Sequence, residues 1–302
     1  MLPRTIRPFL PLPILLLVLC IMPGCEEPNA PDDPWNRQVY HHIRPSWSPD
    51  GGTIAFTATI HDTLGIYAVD TLGGSLRRLH AGDAVGVTWS PDGQWICFSQ
   101  GRNLYKRDIV SDSLVQLTSS GNDVRPAWSK DGKNIAFVRG SDIWVLDMAT
   151  AAERQLSVWG DFPSWHPNGN EVLFLRLASL SPFRYFQYQF QAVPLDATST
   201  RLVVTLLSYS ACSFSSISPA GNEIVLSRTA DASFAEILRA PIANGAPEVL
   251  VSNGGDFPCW SPNGGRIVYT RTQEGDGGLW IMNADGRGKR RLTTPLGEET
   301  LK

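Results

Sequence analysis

The chain has 302 residues with 26 basic and 29 acidic side chains, and this near balance excludes the basic surface that nucleic-acid binding requires. Charged residues make up 18% of the chain, whereas glycine, proline and tryptophan are abundant, with 27, 22 and 10 copies. This composition argues against a helical bundle or a coiled coil and favours an all-β fold of short strands and tight turns.

The first predicted element is an export signal over residues 1–24. Arg4 and Arg7 precede an apolar run that two prolines interrupt, which is typical of a secretory signal peptide and too short for a membrane span. Gly24 stands directly before Cys25, and in this the segment resembles a bacterial lipoprotein signal. The resemblance implies a lipid on Cys25, which would anchor an exported, periplasmic protein to a membrane. The alternative is ordinary cleavage nearby, which leaves Cys25 as a plain thiol.

Residues 25–38 are rich in proline and in acidic side chains. A segment of this composition buries too little apolar surface to fold, so a flexible tether is predicted between the signal and the rest of the chain. We expect the tether to hold the body of the protein away from the membrane surface.

A five-residue turn motif recurs six times in the rest of the chain. Its full form is Trp-Ser-Pro-Asp-Gly, in which proline presets the backbone and glycine closes the turn. The copies begin at Trp47, Trp89, Trp128, Trp165, Ile217 and Trp260, and the fifth is degenerate. Each copy continues with an apolar run such as Ile54-Ala55-Phe56, then a second run that usually holds an aromatic residue, then a short run that usually holds leucine. Together with the run that contains the tryptophan, these make four strands per copy.

Four short strands in each copy predict an all-β fold, a six-bladed β-propeller of four-stranded antiparallel blades over residues 39–294, followed by a C-terminal tail over residues 295–302. Proline stands two residues before the tryptophan position in four copies, at Pro45, Pro126, Pro163 and Pro258. Because proline cannot donate to a strand ladder, these strands need a free edge, which the innermost strand of a blade has along the central channel. We expect the repeated tryptophan to pack between neighbouring blades.

The repeated turn, with strands like Ile54-Ala55-Phe56 and Ile66-Tyr67 after it, resembles the WD-like repeats of the TolB type. The resemblance implies a six-bladed propeller over nearly all of the chain that follows the tether. TolB carries an α/β domain before its propeller, whereas only the short tether stands in that place here. We therefore expect that the protein is not TolB itself and that the partners of TolB do not transfer to it.

The sequence carries no recognised catalytic motif. It lacks the Gly-x-Ser-x-Gly nucleophile elbow, a Walker A loop and a dinucleotide-binding fingerprint. Its five histidines form no obvious metal-binding set, and Cys97, Cys212 and Cys259 are spaced unlike zinc ligands. We expect these cysteines to be buried as small apolar residues, and we predict no metal ion and no cofactor.

Carboxylates supply one candidate binding site. Asp161 and Asp256 stand four residues before their tryptophans in the same string, Gly-Asp-Phe-Pro, and Asp123 and Asp83 lie near the same place in other copies. Innermost strands begin around one mouth of the channel, where a ring of acids would bind a cation or a basic peptide. The alternative is that each aspartate accepts hydrogen bonds from turn amides, as aspartate does routinely.

A long connection in the fourth copy supplies a second candidate. This copy runs 52 residues from Trp165 to Ile217, and its surplus falls around residues 178–188. Phe183, Arg184 and Tyr185 lie on the resulting loop, and aromatic residues with arginine are typical contact residues of a partner-binding loop. The alternative is that the loop folds over its own blade.

These observations lead to three hypotheses for the function. The first is a non-catalytic, envelope-anchored propeller lipoprotein that binds a protein, a peptide or a glycan on one face. The second is an enzyme, a lyase or hydrolase that acts on a polysaccharide fragment at the channel mouth. The third is a structural part of a larger envelope assembly.

Overall fold

The computed structural model of the protein describes residues 43–60, 63–180, 186–197, 199–208, 212–229, 235–243, 246–271 and 278–293. All of them lie in the second of the two units into which the chain divides, Val39–Lys302. They form six sheets of four antiparallel strands, and within each sheet the strands follow one another in chain order. The prediction of six four-stranded blades is confirmed.

Each blade begins at its innermost strand and ends at its outermost. The first three blades consist of β1 Ile43–Trp47, β2 Thr53–Ile60, β3 Thr63–Asp70 and β4 Arg77–Ala81; of β5 Ala84–Trp89, β6 Trp95–Gln100, β7 Asn103–Asp108 and β8 Leu114–Gln116; and of β9 Asp123–Trp128, β10 Asn134–Arg139, β11 Asp142–Asp147 and β12 Glu153–Ser157. The last three consist of β13 Asp161–Trp165, β14 Glu171–Leu180, β15 Phe186–Pro194 and β16 Arg201–Ser208; of β17 Ser213–Ile217, β18 Glu223–Thr229, β19 Ala235–Pro241 and β20 Glu248–Val251; and of β21 Gly255–Trp260, β22 Arg266–Arg271, β23 Gly278–Asn283 and β24 Arg290–Arg291.

The repeated turn joins the first two strands of each blade, and in the first, second, third and sixth blades the same set of side-chain hydrogen bonds holds it. In the second blade the Ser90 hydroxyl donates to the Asp92 carboxylate and accepts from the Trp95 amide. The same carboxylate accepts from the Gln94 amide at 3.0 Å. Serine and aspartate thus satisfy the turn amides that the strand ladder leaves open, which explains why these two residue types recur together.

The repeated tryptophans connect neighbouring blades, as the sequence predicted. The Trp165 indole donates to the carbonyl oxygen of Ala127 in the third blade at 2.9 Å. The Trp47 indole donates to the carbonyl oxygen of Cys259 in the sixth blade at 3.2 Å. Trp128 and Trp260 differ: the Trp128 indole donates to Gly132 of its own turn, and the Trp260 indole has no hydrogen-bond partner among the described residues.

Apolar side chains fill the spaces between blades and close the ring. Phe56 and Tyr67 of the first blade share one buried cluster with Val268 and Leu279 of the sixth. The blades are therefore held by side-chain packing, while the innermost strands leave an open channel at the centre.

The fourth blade is the irregular one. Its β14 and β15 run 10 and 9 residues, longer than any other strand described. Tyr188 and Phe190 are buried along β15, where aromatic residues alternate with glutamines. The connection that follows β14, with Phe183, Arg184 and Tyr185, lies outside the described residues.

Candidate binding site in the central channel

Every innermost strand contains a β-bulge three residues before the tryptophan position. In β13 the pairing steps from Asp161 opposite Leu175 to Ser164 opposite Leu173, so three residues face two. Irregularities of pairing occur at the equivalent place in all six blades. Five bulge residues have a left-handed backbone: Arg44 (φ 54°), Gly86 (φ 71°), Arg125 (φ 58°), Phe162 (φ 51°) and Phe257 (φ 48°). The left-handed conformation is sterically unfavourable for arginine and phenylalanine, and strained residues of this kind cluster at functional sites.

The Gly-Asp-Phe-Pro sequence, which occurs in the fourth and sixth blades, stabilises this bulge. Asp161 and Asp256 each accept a hydrogen bond, at 2.8 Å, from the amide of the phenylalanine that follows. Gly160 directly precedes Asp161, and a Cβ atom on this glycine would lie 2.6 Å from the Cγ1 atom of Ile143. At Gly255 a Cβ would lie 2.8 Å from the Cδ1 atom of Ile237. The glycine therefore lets the strand start against the preceding blade, and the carboxylate fixes the left-handed residue.

The bulges bring two arginines and two aromatic rings together in the channel. The Arg125 guanidinium lies 4.1 Å from the centre of the Phe162 ring and forms an ion pair with Asp161. The Arg44 guanidinium lies 5.2 Å from the same ring and 6.0 Å from the Phe257 ring. Both cations thus lie within cation–π distance of Phe162.

Arg44 is the less well compensated of the two arginines. It makes no hydrogen bond or ion pair with another residue that the structure describes. Burial, and then the neighbouring Arg125 guanidinium, lower the pKa of Arg44 from 12.5 to about 9, against the raising effect of Asp161 and Asp256. Because arginine keeps its proton in folded proteins, the lowering shows how unfavourable its charge is at this position.

Glycine at the bulge between the two arginines leaves them room. A Cβ on Gly86 would lie 3.3 Å from the Nη1 atom of Arg44 and 3.7 Å from the Cα atom of Arg125. Any larger side chain there would crowd the Arg44 guanidinium, so the second blade contributes space rather than a contact.

These side chains line one part of a cavity of about 430 Å³ that follows the channel. Its walls are the innermost strands with their tryptophans and the prolines of the repeated turns, such as Pro49 and Pro91. The charged residues among the described lining are Arg44, Arg125 and Lys130, and none of that lining is aspartate or glutamate. The volume falls in the range of ligand pockets, and the cavity combines apolar walls with positive charge.

The predicted carboxylates are placed differently from one another. Asp161 and Asp256 lie beside the arginine pair but are not among the residues that line the cavity. Asp123 stands five rather than four residues before its tryptophan, is fully buried, and forms a two-point ion pair with Arg139 at 2.7 and 3.0 Å. Asp83 is exposed in the turn before β5. The four carboxylates therefore do not meet in one ring.

Burial alone would raise the pKa of Asp123, but hydrogen bonds, first from Arg139, bring it below its ordinary value. This carboxylate is therefore an ionised partner inside the third blade. Cys25, Phe183, Arg184 and Tyr185 lie outside the described residues.

Arg44 and Arg125 are site residues that the sequence interpretation missed. Both directly precede the repeated proline, in the strings Arg44-Pro45 and Arg125-Pro126. Comparing the six copies at this one position, rather than collecting carboxylates, would have identified the residues that enter the channel.

The described residues lack two kinds of feature. They contain no group of three or more histidine, cysteine, aspartate or glutamate side chains placed to hold a metal ion. No helix with the length and hydropathy of a membrane span occurs in that part of the chain.

Comparison with known proteins relates the chain to other β-propellers. The family model described as the TolB beta propeller domain matches residues 35–186, about half of the chain. The structure of TolB from Acinetobacter baumannii matches with a TM-score of 0.67 and 21% identity, covering 79% of this chain and 63% of that one. The chain thus spans less than two thirds of that protein's length.

Two other solved structures show the same fold. A TolB-like protein from Agrobacterium tumefaciens matches with a TM-score of 0.60 and 21% identity, covering 80% of this chain and 89% of that one. An oligogalacturonate lyase in complex with manganese matches with a TM-score of 0.60 and 16% identity, covering 86% of this chain and 79% of that one.

Proposed function

The chain belongs to the TolB β-propeller family, and from this we propose that it is a non-catalytic propeller of the cell envelope that binds a protein partner in its central channel. The observation that carries the proposal is the cavity of about 430 Å³, which strained bulges surround with arginine and aromatic side chains. Residues with a strained backbone cluster at active sites and at positions that hold a ligand.

The lining of the cavity supports binding over catalysis. Arg44, Arg125 and Lys130 provide hydrogen-bond donors and charge, while the tryptophan and proline walls provide apolar contact. General acid–base catalysis needs a group that exchanges a proton near neutral pH, whereas guanidinium and ammonium groups hold their protons there. The histidine in the lining, His166, already pairs its Nε2 atom with the carbonyl oxygen of Gly221 at 3.0 Å. We therefore assign recognition to this surface.

Location in the envelope is part of the proposal. The N-terminal segment has the pattern of an export signal, and Cys25 is proposed as its lipid attachment site. A lipid there would keep the propeller at a membrane surface and within reach of partners in the same compartment.

Site-specific photo-crosslinking in cells tests the binding proposal. A photoreactive amino acid replaces Lys130, which lines the cavity, and in a matched variant it replaces Arg287, an exposed residue outside the cavity. We expect one discrete adduct from position 130 that is absent from position 287, and mass spectrometry identifies the partner. Equal labelling from both positions, or none from either in folded protein, would contradict the proposal.

An enzyme acting on polysaccharide fragments is the second candidate. The oligogalacturonate lyase structure shares the fold, and arginines suit the carboxylates of uronic acids. Incubation of the purified protein with oligogalacturonate, with and without manganese, distinguishes the two candidates. Formation of the unsaturated product would support the hypothesis that the protein is an enzyme and would refute the proposal that it only binds a partner.

A further inference from the structure

We propose that the arginine pair in the channel is a carboxylate-binding site, with Arg44 as the principal donor and Arg125 as the second. The proposed ligand is a carboxylate of a peptide segment, either its C-terminus or an aspartate or glutamate side chain. This inference rests on the proposed function, because it names the group of the partner that the channel recognises.

The sign of the charge on the cavity wall comes first. All charged residues among the described lining are basic, whereas Asp161 and Asp256 are not part of that lining and each accepts a hydrogen bond from the amide of the next residue. The charge on the described lining is therefore positive, which favours an anion over the cation or basic peptide that the carboxylates alone suggested.

The geometry of the two arginines comes second. Arg125 is fixed by its ion pair with Asp161 and by the Phe162 ring below it, 4.1 Å away. Arg44 has the ring on one side but no hydrogen bond or ion pair with any described residue, so its planar fork of donors is available. A carboxylate matches such a fork with two parallel hydrogen bonds.

The energetic state of Arg44 supports the same assignment. Its charge is unfavourable where it lies, because burial and the neighbouring Arg125 guanidinium oppose it. A bound anion would offset both effects, so the site gains from a ligand what the protein alone does not supply.

The size and walls of the cavity indicate a peptide segment. About 430 Å³ accommodates a few side chains but not a folded domain. Trp47 and Trp89, with prolines of the turns, offer apolar surface to residues next to the carboxylate. An apolar residue beside a terminal or acidic carboxylate therefore fits the channel.

Calorimetric titration with small probes tests the site itself. N-acetylphenylalanine carries a carboxylate and an apolar ring, and N-acetylphenylalanine amide differs only in lacking the charge. We expect the acid to bind the full chain at least about tenfold more tightly than the amide, since a charge-assisted pair of hydrogen bonds is lost. Equal binding of acid and amide, or no binding of either, would overturn the proposal.

Variants assign the binding to Arg44. In Arg44→Met the apolar stem remains and the donors are lost, so we expect at least about a tenfold loss for the acid and little change for the amide. Arg44→Lys keeps the charge without the fork and is expected to bind with intermediate affinity. Arg287→Met, which removes the same charge from an exposed site, should bind like the wild type. Wild-type affinity in a folded Arg44→Met protein would refute the assignment.

One further arm separates the sources of the carboxylate. Trigalacturonate presents carboxylates on sugars instead of on a peptide, and tighter binding of this probe than of N-acetylphenylalanine would overturn the peptide assignment. Failure of the titration also differs from failure of the proposed function. A cross-linked partner that binds Arg44→Met as well as wild type would leave the propeller a binding protein and remove the carboxylate site.

Discussion

The indole nitrogen of Trp89 lies 3.2 Å from the carbonyl oxygen of Ser46, so the second blade donates a hydrogen bond to the innermost strand of the first. The equivalent indole of Trp260 is buried and has no hydrogen-bond partner among the described residues. The same residue type thus occupies the same place in two blades with different hydrogen bonding, and this difference can be measured.

We expect Trp89→Phe to cost more stability than Trp260→Phe. The first substitution removes a hydrogen bond and leaves the Ser46 carbonyl short of a donor, whereas the second removes a buried donor that is unsatisfied. The difference should be about 1 kcal/mol in the free energy of unfolding, measured by urea denaturation. Equal costs would show that the indole hydrogen bond contributes nothing and that only ring area matters.

Gly255→Ala is expected to destabilise the protein by about 1–3 kcal/mol, because the new methyl would meet Ile237 and Val251 of the fifth blade at 2.8 and 2.9 Å. Gly52→Ala is the control, since its nearest contact is an exposed Asp50 oxygen at 3.4 Å. The control should be neutral or slightly stabilising. A tolerated Gly255→Ala would mean that the blade interface yields more easily than its packing indicates.

Acid is expected to weaken the repeated turns. The Ser90 hydroxyl, and next the Gln94 amide, lower the pKa of Asp92 below its ordinary 3.8. A carboxylate with a lowered folded-state pKa stabilises the fold above the unfolded value, and this contribution is lost as the pH falls through the folded value. Unfolding midpoints near neutral pH and at about pH 3 measure the loss.

Asp92→Asn provides the matched comparison for the acid effect. Asn263 occupies the same place in the sixth copy and accepts from Ser261 at 2.8 Å and Gly265 at 3.0 Å, so the amide can hold the turn. We expect the variant to fold at neutral pH and to lose less stability than wild type on acidification. An unchanged pH dependence would show that Asp92 does not contribute to it.

Cys25→Ser is expected to release the protein from membranes and to abolish incorporation of labelled fatty acid. The prediction follows from the pattern of the signal segment, in which Gly24 precedes the only cysteine suited to lipid attachment. Fractionation of cells that express both forms measures it. A variant that stays in the membrane fraction would refute lipid anchoring at this residue.

The repeats made most of the fold predictable. Each turn motif fixed the end of one strand and the start of the next, and the proline in strings such as Arg44-Pro45 correctly placed its strand at the channel edge. The residues inside the channel were harder to predict from the sequence, because Arg44 and Phe162 adopt a left-handed backbone that their residue types disfavour. Spacing was decisive for the carboxylates, since one residue of offset turns Asp123 toward Arg139.

The left-handed bulges have a consequence for how the channel can change. Arg44 has φ 54°, a left-handed conformation that costs glycine less than arginine, and glycine occupies the same position in the next blade, at Gly86. We expect Arg44→Gly to be neutral or to raise the free energy of unfolding by up to about 1 kcal/mol, and to abolish carboxylate binding. Arg125→Gly also breaks the ion pair with Asp161, so its free energy of unfolding should rise less. Thermal denaturation of both variants measures the contrast.

The bulge therefore places one residue of each blade at the same level of the channel, and these positions differ in how firmly they are held. Arg44 has no hydrogen bond or ion pair with a described residue, so its substitution would alter the chemistry of the channel at little cost to the contacts between blades. Substitution of Arg125 or Phe162 would also remove the ion pair or the cation–π contact that joins two blades. Selectivity in this ring can therefore change most easily at the first blade.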